Sequence, residues 1–99
     1  MAFILVIDPK AIRDIQETID YYDEQQAGLG ERFEVALNKH LLTLENNPFL
    51  RIRYDNVRCL PLKKFPYMVH FTFDKESSLV TVRALFHTAR DPKNWKKRK

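Results

Sequence analysis

Residues 67–87, YMVHFTFDKESSLVTVRALFH, decide the fold of this chain. Apolar and polar side chains alternate on either side of the polar segment 74–78, a pattern typical of two antiparallel strands joined by a hairpin loop. Successive side chains of a strand point to opposite faces of a sheet. One face of this hairpin is therefore predicted to pack against a core.

The second strand of the hairpin is predicted to carry its charged side chains on one face. Arg83 and His87 are four residues apart, so strict alternation puts both on the same face. We expect that face, together with His70 of the first strand, to be open. The alternation assigns four apolar residues to the opposite face: Val80, Val82, Ala84 and Phe86.

Upstream of the hairpin, the sequence predicts a strand followed directly by a helix. The apolar run Phe3–Ile7 is rich in β-branched residues, which favours a strand buried on both faces, in an interior position of the sheet. Asp8 is a good helix N-cap, and Pro9 suits the first helical position. A helix is therefore expected to begin at Pro9.

Apolar residues at helical spacing form two stripes, which are separated by the segment Gly28–Gly30. Asn47–Pro48 ends the second stripe, because the residue before a proline resists helical backbone. Two helices with a short glycine-containing connection form an antiparallel hairpin. The first stripe consists of Ile12, Ile15, Ile19 and Tyr22, and the second of Phe33, Ala36, Leu37, His40, Leu41 and Leu44.

A further strand is predicted at Val57–Lys64, before a turn at Phe65–Pro66. The predicted order is therefore β-α-α-β-β-β, with the helical hairpin packed on one face of a mostly antiparallel sheet. This is a two-layer α+β fold. We expect it to form a single domain, residues 1–99, with a basic tail from about residue 91.

The composition is that of one small globular domain. The 99 residues are 44% hydrophobic and 30% charged, which excludes a disordered chain. The single cysteine, Cys59, excludes an internal disulfide framework and a multi-cysteine metal site. Apolar runs are too short to span a membrane and no signal peptide is recognisable, so we expect a cytoplasmic protein without a metal or cofactor.

The two halves of the chain carry opposite charge. Residues 8–45 have a net charge of −5, whereas residues 51–99 have a net charge of +9. Such an asymmetry indicates an anionic partner for the second half. The alternative interpretation is that the basic residues only keep a small protein in solution.

Short motifs follow one another along nearly the whole chain. Together with the predicted topology, they resemble the RelE/ParE superfamily of bacterial type II toxins. The motifs are Asp20–Gln25, Gly28–Gly30, Arg32–Phe33, Ala36–Leu37, Asn47–Pro48, Val57–Arg58, Phe65–Tyr67 and Phe86–Pro92, followed by Trp95 and Arg98.

This resemblance implies the toxin half of a toxin–antitoxin pair. A small acidic antitoxin, encoded beside the toxin, is then expected to bind and neutralise it. RelE-like members of the superfamily cleave mRNA in the ribosomal A site without a metal, and ParE-like members inhibit DNA gyrase. Both targets are compatible with the residues, and a non-toxic or degenerate RNA-binding module with the same fold is a third possibility.

The resemblance also implies candidate functional residues. RNA cleavage through the 2′-hydroxyl needs a proton acceptor, cations beside the phosphate and a proton donor for the leaving oxygen. His87 and Arg83 are the candidate catalytic residues, whereas Tyr67 stands where nuclease members carry a phosphate-clamping arginine. The candidate residues for binding nucleic acid or the target are Arg58, Lys63, Lys64, Tyr67, Arg90, Lys96, Lys97 and Arg98.

Two residues are expected to have structural roles. Trp95 is expected to anchor the basic tail against the sheet, although stacking on a nucleic-acid base is the alternative. Cys59 is expected to be an inert residue within a strand.

Overall fold

The computed structural model describes residues 3–89 and Trp95. Two helices pack on one face of a five-stranded sheet, which confirms the predicted two-layer α+β architecture. The elements are β1 (Ile4–Ile7), α1 (Pro9–Gln25), α2 (Leu29–Asn46), β2 (Ile52–Tyr54), β3 (Val57–Pro61), β4 (Tyr67–Asp74) and β5 (Leu79–His87). The short strand β2 was absent from the predicted order.

The sheet has the strand order β1-β5-β4-β3-β2. Strand β1 pairs in parallel with β5, and all the other neighbours are antiparallel. We call the side covered by the helices the helix face and the opposite side the far face. Because paired residues share a face, the register assigns each strand residue to one of the two.

The start of α1 follows from its cap. The Asp8 carboxylate accepts a hydrogen bond from the Lys10 backbone N–H at 2.8 Å, and Pro9 occupies the first turn. Both features are as predicted. The buried side of α1 runs through Ala11 and Thr18, so Ile12 is 54% exposed and its predicted place in the core stripe is wrong.

Two glycines shape the connection between the helices. Gly28 has a φ of 87°, a left-handed conformation that glycine adopts without a steric cost. Gly30 lies against α1, and its backbone N–H donates to the Asp23 carboxylate at 2.8 Å. An added Cβ at Gly30 would lie 2.5 Å from the Ile19 carbonyl oxygen, so the close approach of the helices depends on this glycine.

Strand β1 is an edge strand, so the predicted interior position is wrong. Its only strand neighbour among the described residues is β5. Ile4 and Val6 point to the far face and are 63% and 42% exposed, respectively. Two-sided burial fails because helices cover only one side of this end of the sheet.

The main hydrophobic core lies between the helices and the helix face. Aromatic rings fill the end near the β3–β4 turn, where Tyr22, Phe33, Phe65 and Tyr67 contact one another edge to face or tilted. Buried members of the core are Ala11, Phe33, Leu37, Leu41, Leu44, Leu62, Val69, Phe71, Val80, Val82 and Leu85.

A second, smaller group of buried residues lies on the far face, and we call it the far-face cluster. Trp95 is 5% exposed in this cluster, so its predicted position against the sheet is confirmed, while the rest of the basic tail lies outside the described residues. The face that was expected to be open is therefore partly covered. The cluster consists of Tyr54, Cys59, Met68, His70, Ala84, Phe86 and Trp95.

A β-bulge in β5 changes which residues face the helices. His70 pairs with Ala84 and Phe71 pairs with Val82, so Arg83 is an extra residue without a partner in β4. Beyond Arg83 the alternation is inverted. Leu85 joins the main core, whereas Ala84 and Phe86 join the far-face cluster. The predicted common face for Val80, Val82, Ala84 and Phe86 is wrong for this reason.

Replacement of Gly30 by alanine tests the close approach of α1 and α2. We expect Gly30→Ala to lower the free energy of unfolding by about 2 kcal/mol, because the new methyl group would overlap a backbone carbonyl oxygen of α1, which a side-chain rotation cannot relieve. Urea unfolding followed by circular dichroism measures the change.

Gly28→Asn is the matched control for this substitution. Asparagine tolerates the left-handed conformation, and nothing lies within 4 Å of the added Cβ at Gly28. We expect a change within about 0.5 kcal/mol. Equal destabilisation by both variants would contradict the close-approach argument.

Candidate functional site

Arg83 lies on the far face beside the start of α1. Its Nε donates to the Thr72 hydroxyl at 3.1 Å, and its Nη1 lies 3.7 Å from a carboxylate oxygen of Asp8. The Arg83 side chain is 50% exposed, so this ion pair is screened by water and contributes at most about 1 kcal/mol to stability. Arg83 therefore presents a largely accessible cation.

His87 lies on the helix face, at the end of β5. It pairs with Tyr67, and the two rings meet edge to face with centroids 5.2 Å apart. The Ala89 backbone N–H donates to His87 Nδ1 at 3.0 Å. Nδ1 is thus an acceptor, and the neutral ring carries its proton on Nε2. A ring in this tautomer has no free lone pair with which to act as a general base.

The two candidate catalytic residues do not form one site. The extra residue at Arg83 inverts the alternation, so the predicted common face for Arg83 and His87 is wrong. Four residues of extended strand also separate them by about 13 Å along β5. A single phosphate cannot contact both side chains from one side of the sheet.

Arg58 stabilises the segment that precedes β2. It pairs with Phe71 on the helix face, and its Nη1 donates to the Leu50 carbonyl oxygen at 2.9 Å. Its guanidinium group lies over the Phe73 ring, 5.5 Å from the ring centroid. The structure thus gives this predicted binding residue a set of intramolecular contacts.

The other predicted binding residues lie in different places. Lys63 and Lys64 are exposed in the turn between β3 and β4. Tyr67 is half-buried on the helix face, and burial raises the pKa of its hydroxyl despite a hydrogen bond with Thr18. Four further residues lie outside the described part of the chain: Arg90, Lys96, Lys97 and Arg98.

The polar centre of the far-face cluster was not predicted as a group. His70 is fully buried, and a hydrogen bond of 3.1 Å joins its Nδ1 to the Tyr54 hydroxyl. Cys59 Sγ lies 3.5 Å from the same nitrogen, and the Trp95 ring contacts His70 at 4.7 Å. The alternation had placed His70 on this face of the sheet. Trp95 was the one covering residue that the sequence predicted.

Burial keeps the Tyr54 hydroxyl and the Cys59 thiol of the far-face cluster protonated. It raises the pKa of Cys59 to about 11 and the pKa of Tyr54 to about 12. A protonated thiol is a poor nucleophile, so Cys59 has the inert character expected from the sequence. The indole of Trp95 also lies beside the cation of Arg53, whose Cζ is 5.8 Å from the ring centroid.

A cavity of about 310 Å³ opens on the other side of the sheet, between α1 and the end of β5. Its lining includes His87 and Tyr67, which were predicted as functional residues, and Glu17 and Tyr21, which were not. Nothing in the helical spacing indicated that the side of α1 carrying Glu17 and Tyr21 faces the end of β5.

Within residues 3–89 and Trp95, no three His, Cys, Asp or Glu side chains are grouped closely enough to hold a metal ion. In the same part of the chain, no helix combines the length and apolar character that crossing a membrane requires.

Comparisons with known proteins agree with the fold. Residues 5–92 match a protein family described as the ParE toxin of the type II toxin–antitoxin system parDE. A search of curated proteins returned no match.

Several solved structures are similar to this chain. The chromosomal ParDE system from P. aeruginosa has a TM-score of 0.75 and 15% identity, covering 87% of this chain and 96% of that chain. The intact E. coli RelBE toxin–antitoxin complex has a TM-score of 0.68 and 18% identity, covering 90% and 100%. The RelBE2 complex from Mycobacterium tuberculosis has a TM-score of 0.63 and 16% identity, covering 88% and 99%. At these identities the likeness concerns the fold.

The reactivity of Cys59 tests the description of the far-face cluster. At pH 8 we expect iodoacetamide to alkylate the native thiol at least ~100-fold more slowly than the thiol in urea, because the side chain is buried and its pKa is raised. Mass spectrometry of quenched samples measures both rates. Equal rates in the native and unfolded chains would show that the cluster is open.

Proposed function

The chain belongs to the ParE toxin family of type II toxin–antitoxin systems, and we propose that it inhibits growth by binding DNA gyrase rather than by cleaving mRNA. One observation carries this choice between the two activities of the superfamily. The bulge in β5 puts Arg83 and His87 on opposite faces of the sheet.

Cleavage of RNA requires groups that converge on one phosphate. The proton acceptor has to lie within hydrogen-bond distance of the 2′-hydroxyl, and a cation has to contact the charged phosphorane. His87 faces the helices and its Nδ1 already accepts the Ala89 N–H, whereas Arg83 faces the other way. These residues do not supply the convergent set that the cleavage hypothesis requires.

Inhibition of gyrase by binding does not require catalytic groups that converge on one phosphate. A protein that holds gyrase in an inactive state needs an accessible complementary surface and no group that transfers a proton. The far face offers Arg83 and Arg53, both exposed, next to the buried far-face cluster. Such a surface suits an acidic patch on a protein partner.

The proposed antitoxin is an acidic, partly disordered segment that folds when it binds. The net charge of +9 in residues 51–99 favours such a partner. Ile4 and Val6 add exposed apolar side chains at the edge strand β1. A chain that pairs with this edge would cover both residues.

Two parallel assays with purified protein distinguish the targets. We expect inhibition of DNA supercoiling by gyrase, and intact mRNA in a primer-extension assay of a reconstituted translation reaction. Arg83→Ala is expected to weaken gyrase inhibition at least ~10-fold, the effect of removing one charged contact. His87→Ala is expected to retain the inhibition.

Lys75→Ala is the control, since Lys75 is an exposed cation in the β4–β5 hairpin loop. Cleavage of mRNA within ribosome-bound codons, lost in His87→Ala, would overturn the proposal and establish a ribonuclease. An absence of both activities, with normal growth on expression, would also overturn the proposal and favour the non-toxic alternative.

A further inference from the structure

The cavity between α1 and the end of β5 has an acidic lining, in contrast to the basic second half of the chain. Its volume of about 310 Å³ is at the lower end of the range for small-ligand sites. None of the lining residues that the structure describes is a lysine or arginine, and two are carboxylates, Asp14 and Glu17. An anion is therefore repelled from this cavity, and a cation is favoured.

The two carboxylates differ in what they already bind. Asp14 accepts a hydrogen bond from the Leu85 backbone N–H at 3.1 Å, so its carboxylate already has a structural partner in β5. Glu17 forms no hydrogen bond or ion pair within residues 3–89 and Trp95, and its side chain is exposed. Glu17 is thus the carboxylate available to a ligand.

Aromatic rings supply the other half of the site. Tyr21 and Tyr67 both line the cavity, and each of them packs against a neighbouring aromatic ring. Tyr21 contacts Tyr22 edge to face at 5.4 Å, and Tyr67 contacts His87 at 5.2 Å. Phenol rings attract cations through their π faces, and a planar guanidinium group also stacks on them.

His87 adds a hydrogen-bond donor. Because Nδ1 accepts the Ala89 N–H, the neutral ring presents its proton on Nε2. A ligand that carries a carbonyl oxygen as well as a cationic group would satisfy this donor. An arginine residue of a peptide has both, with the backbone carbonyl linked to the guanidinium group through the flexible side chain.

We propose that this cavity binds the guanidinium group of an arginine, either as a side chain of a protein partner or as a free small guanidine. Glu17 pairs with the charge, Tyr21 and Tyr67 contact the planar group, and His87 donates to a carbonyl oxygen. Guanidinium suits the site better than ammonium, since it is planar, weakly hydrated and able to stack. The partner source rests on the proposed antitoxin, whereas the site itself does not.

Titration with N-acetyl-arginine amide, followed by ¹H–¹⁵N NMR, tests the site directly. We expect saturable shifts at Leu85, Phe86 and His87, and weak binding in the millimolar range. N-acetyl-citrulline amide, which has nearly the same shape without the charge, is expected to bind at least ~5-fold more weakly. Equal binding of the two compounds, or no saturable shifts with the first, would overturn the proposal.

Glu17→Gln tests the charge pairing, and Glu24→Gln is the matched control on the same helix, outside the cavity lining. We expect the affinity for N-acetyl-arginine amide to fall at least ~5-fold in the first variant and to stay unchanged in the second. An unchanged affinity in Glu17→Gln would contradict the assigned role. These readouts use no toxicity or gyrase assay, so failure of the proposed function leaves them interpretable.

A second arm separates the two sources of the guanidinium group. The protein from the neighbouring reading frame is titrated onto the wild type and onto Glu17→Gln. A loss of affinity of at least ~5-fold in the variant supports a partner arginine. Unchanged affinity, with N-acetyl-arginine amide still bound by the wild type, supports a free small guanidine.

Discussion

One hydrogen bond, from the Leu85 backbone N–H to the Asp14 carboxylate, holds the irregular point of the sheet. Leu85 comes two residues after Arg83, the extra residue of β5. Strand β5 lies between β1 and β4, so the loss of its backbone hydrogen bonds would disturb its pairing with both strands. A partly buried backbone N–H without an acceptor costs about 1–3 kcal/mol, and a carboxylate from α1 removes that cost here.

The bulge divides the buried residues of β5 between two cores. Val82 and Leu85 stay with the helices, whereas Ala84 and Phe86 turn to the far face and give Trp95 a surface to cover. The same inversion separates Arg83 from His87. One extra residue therefore explains why a small sheet is packed on both sides and why its two polar candidates have different surroundings.

The parts of the fold that depend on local pattern were predictable from the sequence. The cap at Asp8, the two helices and the hairpin of β4 and β5 follow from residue types and spacing. The bulge was not predictable in this way, because the alternation rule assumes that each residue of β5 pairs with one residue of β4. The carboxylate that accepts the Leu85 N–H also comes from Asp14, which is far away in sequence. The edge position of β1 also depends on the strand order, because an apolar run reads alike in an edge or an interior strand.

The candidate sites were harder to predict than the fold, because each one joins residues that are far apart in sequence. Glu17 and His87 line the same cavity only because α1 crosses the end of β5, and the rings of Tyr54 and Trp95 are in contact only because both cover His70. The bulge in β5 then places the cavity beside α1 and the exposed Arg83 on opposite sides of the sheet. A group bound in the cavity is therefore separated from Arg83 by the sheet itself.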